Sequence, residues 1–195
     1  VLVIDTSGSM AGPPLQGAKD AALAFVDELP EPSQIAVLGF GSTAEVVQPL
    51  TTDRELVTEA IDGLTAGGET ALYDAVALGL DQFSEGGADN LVVLSDGADT
   101  ASEIDQADLE SALGDFGGSF FVVELQGAES DPEALESLTE AADGILASAE
   151  DPDALQAIYE GIAVAVTSQY VLSYTSEGAG VTSVAVTVAG VGTSE

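Results

Sequence analysis

The sequence predicts an α/β fold in which helices cover both faces of a mostly parallel, six-stranded sheet. Short apolar runs rich in β-branched residues alternate along the chain with longer segments whose apolar residues recur every three or four positions. This alternation is typical of strand–helix–strand units, and apolar runs without a polar face are typical of strands buried on both sides. The length of 195 residues also suffices for one domain that buries most of its apolar surface.

Six segments predict the strands of this sheet. In chain order they are Val1–Ile4, Ile35–Leu38, the stretch around Val46–Val47, Leu91–Ser95, Phe120–Val123 and Ile145–Leu146. The third strand follows the second after only a short Gly-Ser-Thr turn, so we expect it to run antiparallel at the sheet edge. The expected order is 3-2-1-4-5-6, the doubly wound arrangement in which strands one and four are neighbours.

Helical patterns connect these strands. The first helix stops at Pro30 and has apolar residues at helical spacing, namely Leu15, Ala18, Ala22, Phe25 and Leu29. A capping box at Thr52–Glu55 predicts the start of a second helix, and Thr70 is expected to open a third. Asp131 and Asp151 are each followed by proline, which predicts a side-chain cap and the first position of a helix.

The periodicity changes to two beyond about residue 167. Tyr170, Leu172 and Tyr174 alternate with smaller residues, a turn signal follows at Glu177–Gly180, and a second alternating run begins at Val184. We therefore divide the chain into a main domain at 1–167 and a C-terminal β-hairpin at 168–195. Because Val1 lies inside the first predicted strand, we expect the chain to be an excised domain of a longer protein.

Composition excludes several classes of site and partner. The chain has no cysteine and no histidine, which rules out disulfides, thiolate metal sites and the usual general base. Its 35 acidic residues face only Lys19 and Arg54, giving a formal net charge of −33. Such a surface repels nucleic acid and anionic membranes, and it indicates either adaptation to high salt or deliberate redesign. No apolar run reaches the ~18 residues of a membrane span.

Oxygen-bearing side chains gather at the predicted carboxyl end of the sheet. Asp5, Ser7 and Ser9 follow the first strand, Asp96 ends the fourth, and Thr70 begins the helix that leads to the fourth. The connections of strands one and four leave in opposite directions, so these three segments are expected to converge on one crevice. Because hydroxyl and carboxylate oxygens suit a hard divalent cation, the five residues predict a metal site.

Each of these residues also has a structural interpretation when it is taken singly. Ser7 and Ser9 would cap the first helix, Thr70 would cap the helix that it starts, and Asp96 would belong to an ordinary Asp-Gly turn. Asp5 would be one more carboxylate in an acid-rich chain. These interpretations do not explain why all five residues share one predicted location.

The pattern D-x-S-x-S, then T, then D resembles the metal-ion-dependent adhesion site of von Willebrand factor type A domains. The order of elements is similar over roughly the first 165 residues. The resemblance implies a Rossmann-like fold that binds Mg²⁺, with Mn²⁺ or Ca²⁺ as alternatives. It implies direct coordination by Ser7, Ser9 and Thr70, with Asp5 and Asp96 acting through bound waters and hydrogen bonds.

The same resemblance implies a function in protein binding, in which a partner's Asp or Glu carboxylate completes the coordination of the cation. It favours an extracellular or cell-surface location. We expect a monomer that binds neither nucleic acid nor membranes directly. Two alternatives stay open: a structural module whose metal only stabilises the loops, and a metal-dependent hydrolase.

Catalysis has little support in the sequence. An aspartyl-phosphate phosphohydrolase would need a second carboxylate where Ser7 stands and a lysine at the crevice, whereas Lys19 and Arg54 belong to predicted helices away from it. Neither a P-loop nor a dinucleotide-binding motif follows the first strand. Without histidine, a serine nucleophile lacks its usual base. Two nearby acids, Asp74 and Asp99, are interpreted as capping or solvated residues.

Overall fold

The computed structural model describes residues 1–83, 88–96, 98–127 and 131–168 of the chain. These ranges include the main domain predicted at 1–167 except for residues 84–87, 97 and 128–130, and its last helix ends at Thr167. The β-hairpin predicted at 168–195 lies outside the described residues, apart from Ser168 at its start.

Six strands form one sheet in the order predicted from the sequence. They are β1 (Leu2–Asp5), β2 (Ile35–Phe40), β3 (Ala44–Thr51), β4 (Asn90–Ser95), β5 (Ser119–Leu125) and β6 (Ile145–Ala149). The order across the sheet is β3-β2-β1-β4-β5-β6. All neighbouring strands are parallel except β2 and β3, which are antiparallel. The predicted α/β fold, with its antiparallel edge strand, is confirmed.

Helices cover both faces of this sheet. In the described part of the chain they are α1 (Pro13–Glu28), α2 (Arg54–Gly63), α3 (Leu72–Leu80), α4 (Gln106–Gly114), α5 (Pro132–Ala141) and α6 (Leu155–Thr167). Short 3-10 turns precede α1 and α6, at Gly8–Met10 and Pro152–Ala154. None of these helices is long and apolar enough to cross a bilayer.

The three layers follow from the alternation of side chains along the strands. In β1, Leu2 and Ile4 join the core formed with α1, α2 and α6, whereas Val3 joins the core formed with α3, α4 and α5. The first core includes an edge-to-face contact between Phe25 of α1 and Tyr159 of α6, with ring centroids 5.7 Å apart. Because both faces are covered, the central strands are apolar throughout until they reach their carboxyl ends.

Two of the local predictions for helix starts were wrong. The cap of α2 is Asp53, not Thr52, because the Asp53 carboxylate accepts the N–H groups of Glu55 and Leu56. Helix α3 begins at Leu72, two residues after Thr70, which was expected to open it. The caps predicted at Asp131 and Asp151 are confirmed, although Asp151 caps the 3-10 turn before α6 and not α6 itself.

Helix α4 was not predicted from the sequence. It buries only Leu109 and Leu113, so its apolar face is too narrow to give a clear helical period. Its start is marked by Asp105, whose side chain accepts the N–H of Asp108.

The two basic side chains bind backbone carbonyls. Arg54 donates to the carbonyl oxygens of Val26 and, over 2.9 Å, Leu29, at the carboxyl end of α1. A cation at this end of a helix interacts favourably with the helix dipole. Lys19 donates to the carbonyl oxygen of Asp62 over 2.8 Å. Arg54 therefore lies at the end of α1 opposite to the crevice, and both cations have a structural role.

The excess of acidic over basic side chains predicts that salt raises the thermal stability of this protein. Because neighbouring carboxylates repel one another, screening should raise the midpoint of thermal unfolding progressively between about 0.05 and 2 M KCl. Melts in EDTA keep divalent cations out of the comparison, and melts in sucrose report the effect of solute exclusion alone. A midpoint that stays constant over this range of KCl would contradict the prediction.

Candidate metal centre

Four of the five predicted residues form a continuous hydrogen-bonded chain at the carboxyl ends of β1 and β4. The Oδ1 atom of Asp5 accepts the backbone N–H of Ser7 over 2.7 Å. The hydroxyl groups of Ser7 and Ser9 lie 2.9 Å apart, and Ser9 Oγ donates to Asp96 Oδ1 over 2.8 Å. The crevice predicted between neighbouring strands one and four therefore brings together carboxylate and hydroxyl oxygens from both.

Asp5 is the buried anchor of this chain. It is the last residue of β1, its side chain is inaccessible to solvent, and its Oδ2 atom accepts the hydroxyl of Ser95 over 2.7 Å. Burial raises the pKa of Asp5 above its ordinary value of 3.8, and hydrogen bonds from Ser7, Ser95 and the Asp96 backbone oppose that effect. The carboxylate is therefore held rigidly and carries a desolvation cost that a nearby cation would offset.

Thr70 reaches the crevice through the backbone of its loop. Gly67 N–H donates to Thr6 O over 2.7 Å, and Gly8 N–H donates to Gly68 O over 3.0 Å, which joins the loop to the one after β1. Thr70 itself exchanges hydrogen bonds with Thr100, whose Oγ1 atom accepts the Thr70 N–H and whose N–H donates to Thr70 O. These bonds fix the backbone position of Thr70, a largely buried residue beside the crevice.

Gly68 allows the close approach of this loop. Its φ of +88° lies in the left-handed region, and a Cβ atom there would come within 2.5 Å of Ser42 Oγ. The same hydroxyl accepts the N–H of Glu69 over 2.9 Å, which ties the loop to the turn between β2 and β3. The glycine at position 68, two residues before Thr70, thus has a structural reason.

The hydroxyl groups of the motif do not cap helices. Ser7 stands at the start of the 3-10 turn without a side-chain capping bond. Helix α1 starts after Gly12, and α3 starts after Ala71, in both cases without a side-chain cap. The capping interpretations of Ser7, Ser9 and Thr70 are therefore wrong, and these hydroxyl groups are available to the crevice.

Asp74 and Asp99 hold the loop before α4; of the two, Asp99 also binds an N–H of the first turn of α3, whereas Asp74 binds loop N–H groups and caps none of the described helices. Asp74 accepts the backbone N–H of Glu103 through both carboxylate oxygens, at 3.1 and 3.0 Å. Asp99 Oδ1 accepts the N–H of Tyr73 over 3.2 Å and the hydroxyl of Ser102 over 2.5 Å. Both acids therefore support the loops around the centre through backbone groups.

Sequence reasoning missed the role of Ser95. The residue is completely buried and donates to Asp5, so it fixes the anchor from the neighbouring strand. Its signal is a polar residue at the end of the apolar run Leu91–Leu94, one position before Asp96. Thr6, which lies inside the motif, faces elsewhere: its hydroxyl donates to Phe40 O over 2.9 Å.

The donor set fits a hard divalent cation. The carboxylates of Asp5 and Asp96 and the hydroxyl groups of Ser7 and Ser9 meet at the crevice, with no nitrogen or sulfur side-chain donor among them, and this chemistry suits Mg²⁺, Mn²⁺ or Ca²⁺ better than a soft metal. Among the described residues, no group of three or more Asp, Glu, His or Cys side chains offers another metal site. The crevice is thus the best candidate for a metal centre in that part of the chain.

Comparison with known proteins agrees with this architecture. The family model of the von Willebrand factor type A domain matches residues 1–98. An uncharacterized protein of Synechocystis sp. is 29% identical over 157 residues, which cover 77% of this chain and 37% of that protein. The chain thus spans well under half the length of this curated relative.

Solved structures show the same fold. A von Willebrand factor type A structure from Catenulispora acidiphila superposes with a TM-score of 0.78 at 25% identity, covering 87% of this chain and 42% of that one. Proximal thread matrix protein 1 from the mussel byssus, solved with a zinc-occupied MIDAS motif, gives a TM-score of 0.73 at 20% identity. That match covers 85% of this chain and 44% of the byssus protein.

The raised pKa of Asp5 predicts a particular pH dependence in metal-free protein. The folded state holds this proton more tightly than the unfolded state, so Asp5 contributes most stability below about pH 4 and loses it as pH rises through the folded pKa. Chemical denaturation in EDTA should show that the free energy of unfolding of wild type falls relative to Asp5→Asn as pH rises to about 7. The expected fall is about 1.4 kcal/mol for each unit by which the pKa is raised.

Asp27→Asn is the matched control for this comparison, because it removes one charge at an exposed position of α1 away from the crevice. The difference in free energy of unfolding between wild type and Asp27→Asn should not show the same dependence on pH. If the free energy of unfolding of wild type stays constant relative to that of Asp5→Asn as pH rises, or increases relative to it, burial does not raise the pKa of Asp5.

Proposed function

Because the chain belongs to the von Willebrand factor type A domain family, whose domains are typically protein-interaction modules, we propose that it binds protein partners through a divalent cation. In this proposal Ser7, Ser9 and Thr70 coordinate the cation, while Asp5 and Asp96 orient the hydroxyl groups and act through waters. A carboxylate of the partner completes the coordination sphere. The preferred cation is Mg²⁺, with Mn²⁺ or Ca²⁺ as alternatives.

The observation that carries the proposal is the hydrogen-bonded chain from Asp5 through Ser7 and Ser9 to Asp96. In this chain Asp96 orients the Ser9 hydroxyl, Ser9 contacts the Ser7 hydroxyl, and Asp5 fixes the backbone of Ser7, so a cation meets oxygen lone pairs whose positions are fixed in advance. Ser9 is exposed whereas Asp5 is completely buried, so the open side of the centre faces solvent. A partner can approach the centre from that side.

The proposed mechanism rests on the charge of the ligands. Hydroxyl ligands are neutral, so a cation that they coordinate keeps most of its positive charge, and a six-coordinate ion retains a position for an exchangeable water. When bound, the cation would supply a positive centre for a partner's carboxylate, and Ser7, Ser9 and Thr70 would hold it in place. The zinc-occupied MIDAS motif named for the mussel byssus protein supports the choice of a divalent cation for a centre of this kind.

We propose that the module is not an enzyme. Lys19 and Arg54, the only basic side chains of the sequence, are engaged with the backbone carbonyls of Asp62 and Leu29, and neither has a hydrogen bond to the residues of the crevice in the part of the chain that the structure describes. The carboxylates of Asp5 and Asp96 are engaged in holding hydroxyl groups and backbone N–H groups. These observations favour binding over metal-dependent hydrolysis.

The net charge of −33 constrains which partners bind well. At contact, the coordinate bond between a carboxylate and the cation is short and local, and diffuse surface charge does not cancel it. At longer range, the negative field slows the approach of an acidic protein and speeds that of a basic one. The proposed partner therefore presents one Asp or Glu within a basic or neutral surface.

Selection of random peptides displayed on phage tests this function directly. Peptides captured on Mg²⁺-loaded protein and released by EDTA should all carry an Asp or Glu, and changing that residue to its amide should abolish binding, because an amide is a weak ligand that carries no charge. Asp96→Ala should reduce capture by about 10- to 100-fold, the usual cost of losing a residue that orients metal ligands.

Thr6→Val is the matched control, because Thr6 lies inside the motif but directs its hydroxyl to Phe40 O. This variant should still capture and release the peptides. If capture is insensitive to EDTA, or persists after the carboxylate is changed to an amide, the metal does not contact the partner, and the interpretation as a purely structural metal takes its place.

A further inference from the structure

A groove of about 440 Å³ opens directly from the candidate metal centre. Ser9 and Asp96 belong to both the centre and the groove, so the two are continuous. The groove extends over the carboxyl ends of β5 and β6, where Gln126 and Glu150 contribute to its lining. A partner whose carboxylate reaches the cation must place its neighbouring residues in or along this groove.

The fold holds Gln126 and Glu150 side by side. Leu125 and Ala149 are paired in the parallel register of β5 and β6, and Gln126 N–H donates to Ala149 O over 2.8 Å just beyond the last pair. Gln126 and Glu150 are thus the residues that follow two adjacent strands. Because strand ends in a sheet are rigid, these side chains start from fixed positions at the wall of the groove.

The Glu150 carboxylate has no hydrogen bond or ion pair with any residue in the part of the chain that the structure describes, and its side chain is exposed. Its neighbour Asp151 differs, because Asp151 Oδ1 accepts the N–H of Ala154 as a cap. Lys19 and Arg54 donate to carbonyl groups elsewhere, so the chain supplies no cation to Glu150. A charge partner for this carboxylate has to come from a ligand or from solution.

Apolar surface lines the same groove next to these carboxylates. Pro14, at the start of α1, and Pro152, in the 3-10 turn before α6, both contribute to its lining. Lysine and arginine side chains combine an apolar stem with a charged head, so they match a groove with proline on its surface and a carboxylate at its wall. An acidic neighbour would instead meet the like charges of Glu150 and Asp151.

We propose that this groove seats a lysine or arginine of the partner, within about three residues of the coordinating carboxylate, with its charge against Glu150. The partner motif is thus an acidic residue for the cation and a basic residue for the groove. This inference rests on the proposed function, since it assumes that a carboxylate binds at the cation. It adds a residue, Glu150, that selects among carboxylate-bearing partners.

The test uses random peptides displayed on phage, captured with Mg²⁺ and eluted with EDTA, on wild type and on Glu150→Gln. Peptides from wild type should be enriched in Lys or Arg within three residues of the Asp or Glu, whereas peptides from Glu150→Gln should lose that enrichment and keep the acidic residue. A synthetic peptide of the enriched pattern should bind Glu150→Gln about two- to fivefold more weakly than wild type. This is the loss of affinity expected when one solvent-accessible ion pair is removed.

Glu136→Gln is the matched control, because Glu136 is an exposed acid on α5 and does not line the groove. It makes the same change in net charge and should preserve both the enrichment and the affinity. Equal enrichment on Glu150→Gln and wild type would overturn the inference, as would eluted peptides whose acidic residue has apolar or acidic neighbours.

Two further outcomes separate this inference from the function on which it rests. A second Mg²⁺ bound by wild type and lost in Glu150→Gln, measured by titration calorimetry, would mean that the groove takes an inorganic cation and would overturn the inference alone. A failure of wild type to yield any peptide that EDTA releases would overturn the proposed function itself.

Discussion

The hydrogen bonds that converge on Asp5 are the constraint on which the rest of the centre depends. A carboxylate buried at the end of a central strand has to be satisfied by its surroundings, since an unpaired buried charge is very costly. Here the N–H of Ser7 and the hydroxyl of Ser95 bind its two oxygens. The first bond bends the chain after β1 so that the motif hydroxyls enter the crevice, and the second ties β4 to β1 at the level where Asp96 follows.

Most of the fold was predictable because the sheet is buried on both faces. Apolar runs such as Leu91–Leu94 have no other place in a small domain, and the alternation with helical segments fixes the order of the layers. Helix α4 escaped prediction because only Leu109 and Leu113 reach the core. Thr52 and Asp53 both carry good capping oxygens, and only the geometry of the turn decides in favour of Asp53.

The centre was predictable in its residues but not in its connections. The spacing of Asp5, Ser7 and Ser9 and the topological switch between strands one and four indicate where oxygens gather. Spacing cannot show that Ser95 donates to Asp5, because a serine at a strand end is equally typical of a turn. The groove beside the centre was also invisible in the sequence, since its walls come from the separate loops that follow β5 and β6.

The central claim is that the crevice holds a cation through hydroxyl oxygens, and diffraction from crystals grown with Mn²⁺ tests it most directly. One strong anomalous peak is expected within coordination distance of the hydroxyl oxygens of Ser7, Ser9 and Thr70. The carboxylates of Asp5 and Asp96 should lie behind these oxygens, and Mg²⁺ in place of Mn²⁺ should give octahedral distances of about 2.1 Å. A peak elsewhere in the molecule, or a crevice without one at saturating Mn²⁺, would contradict the account.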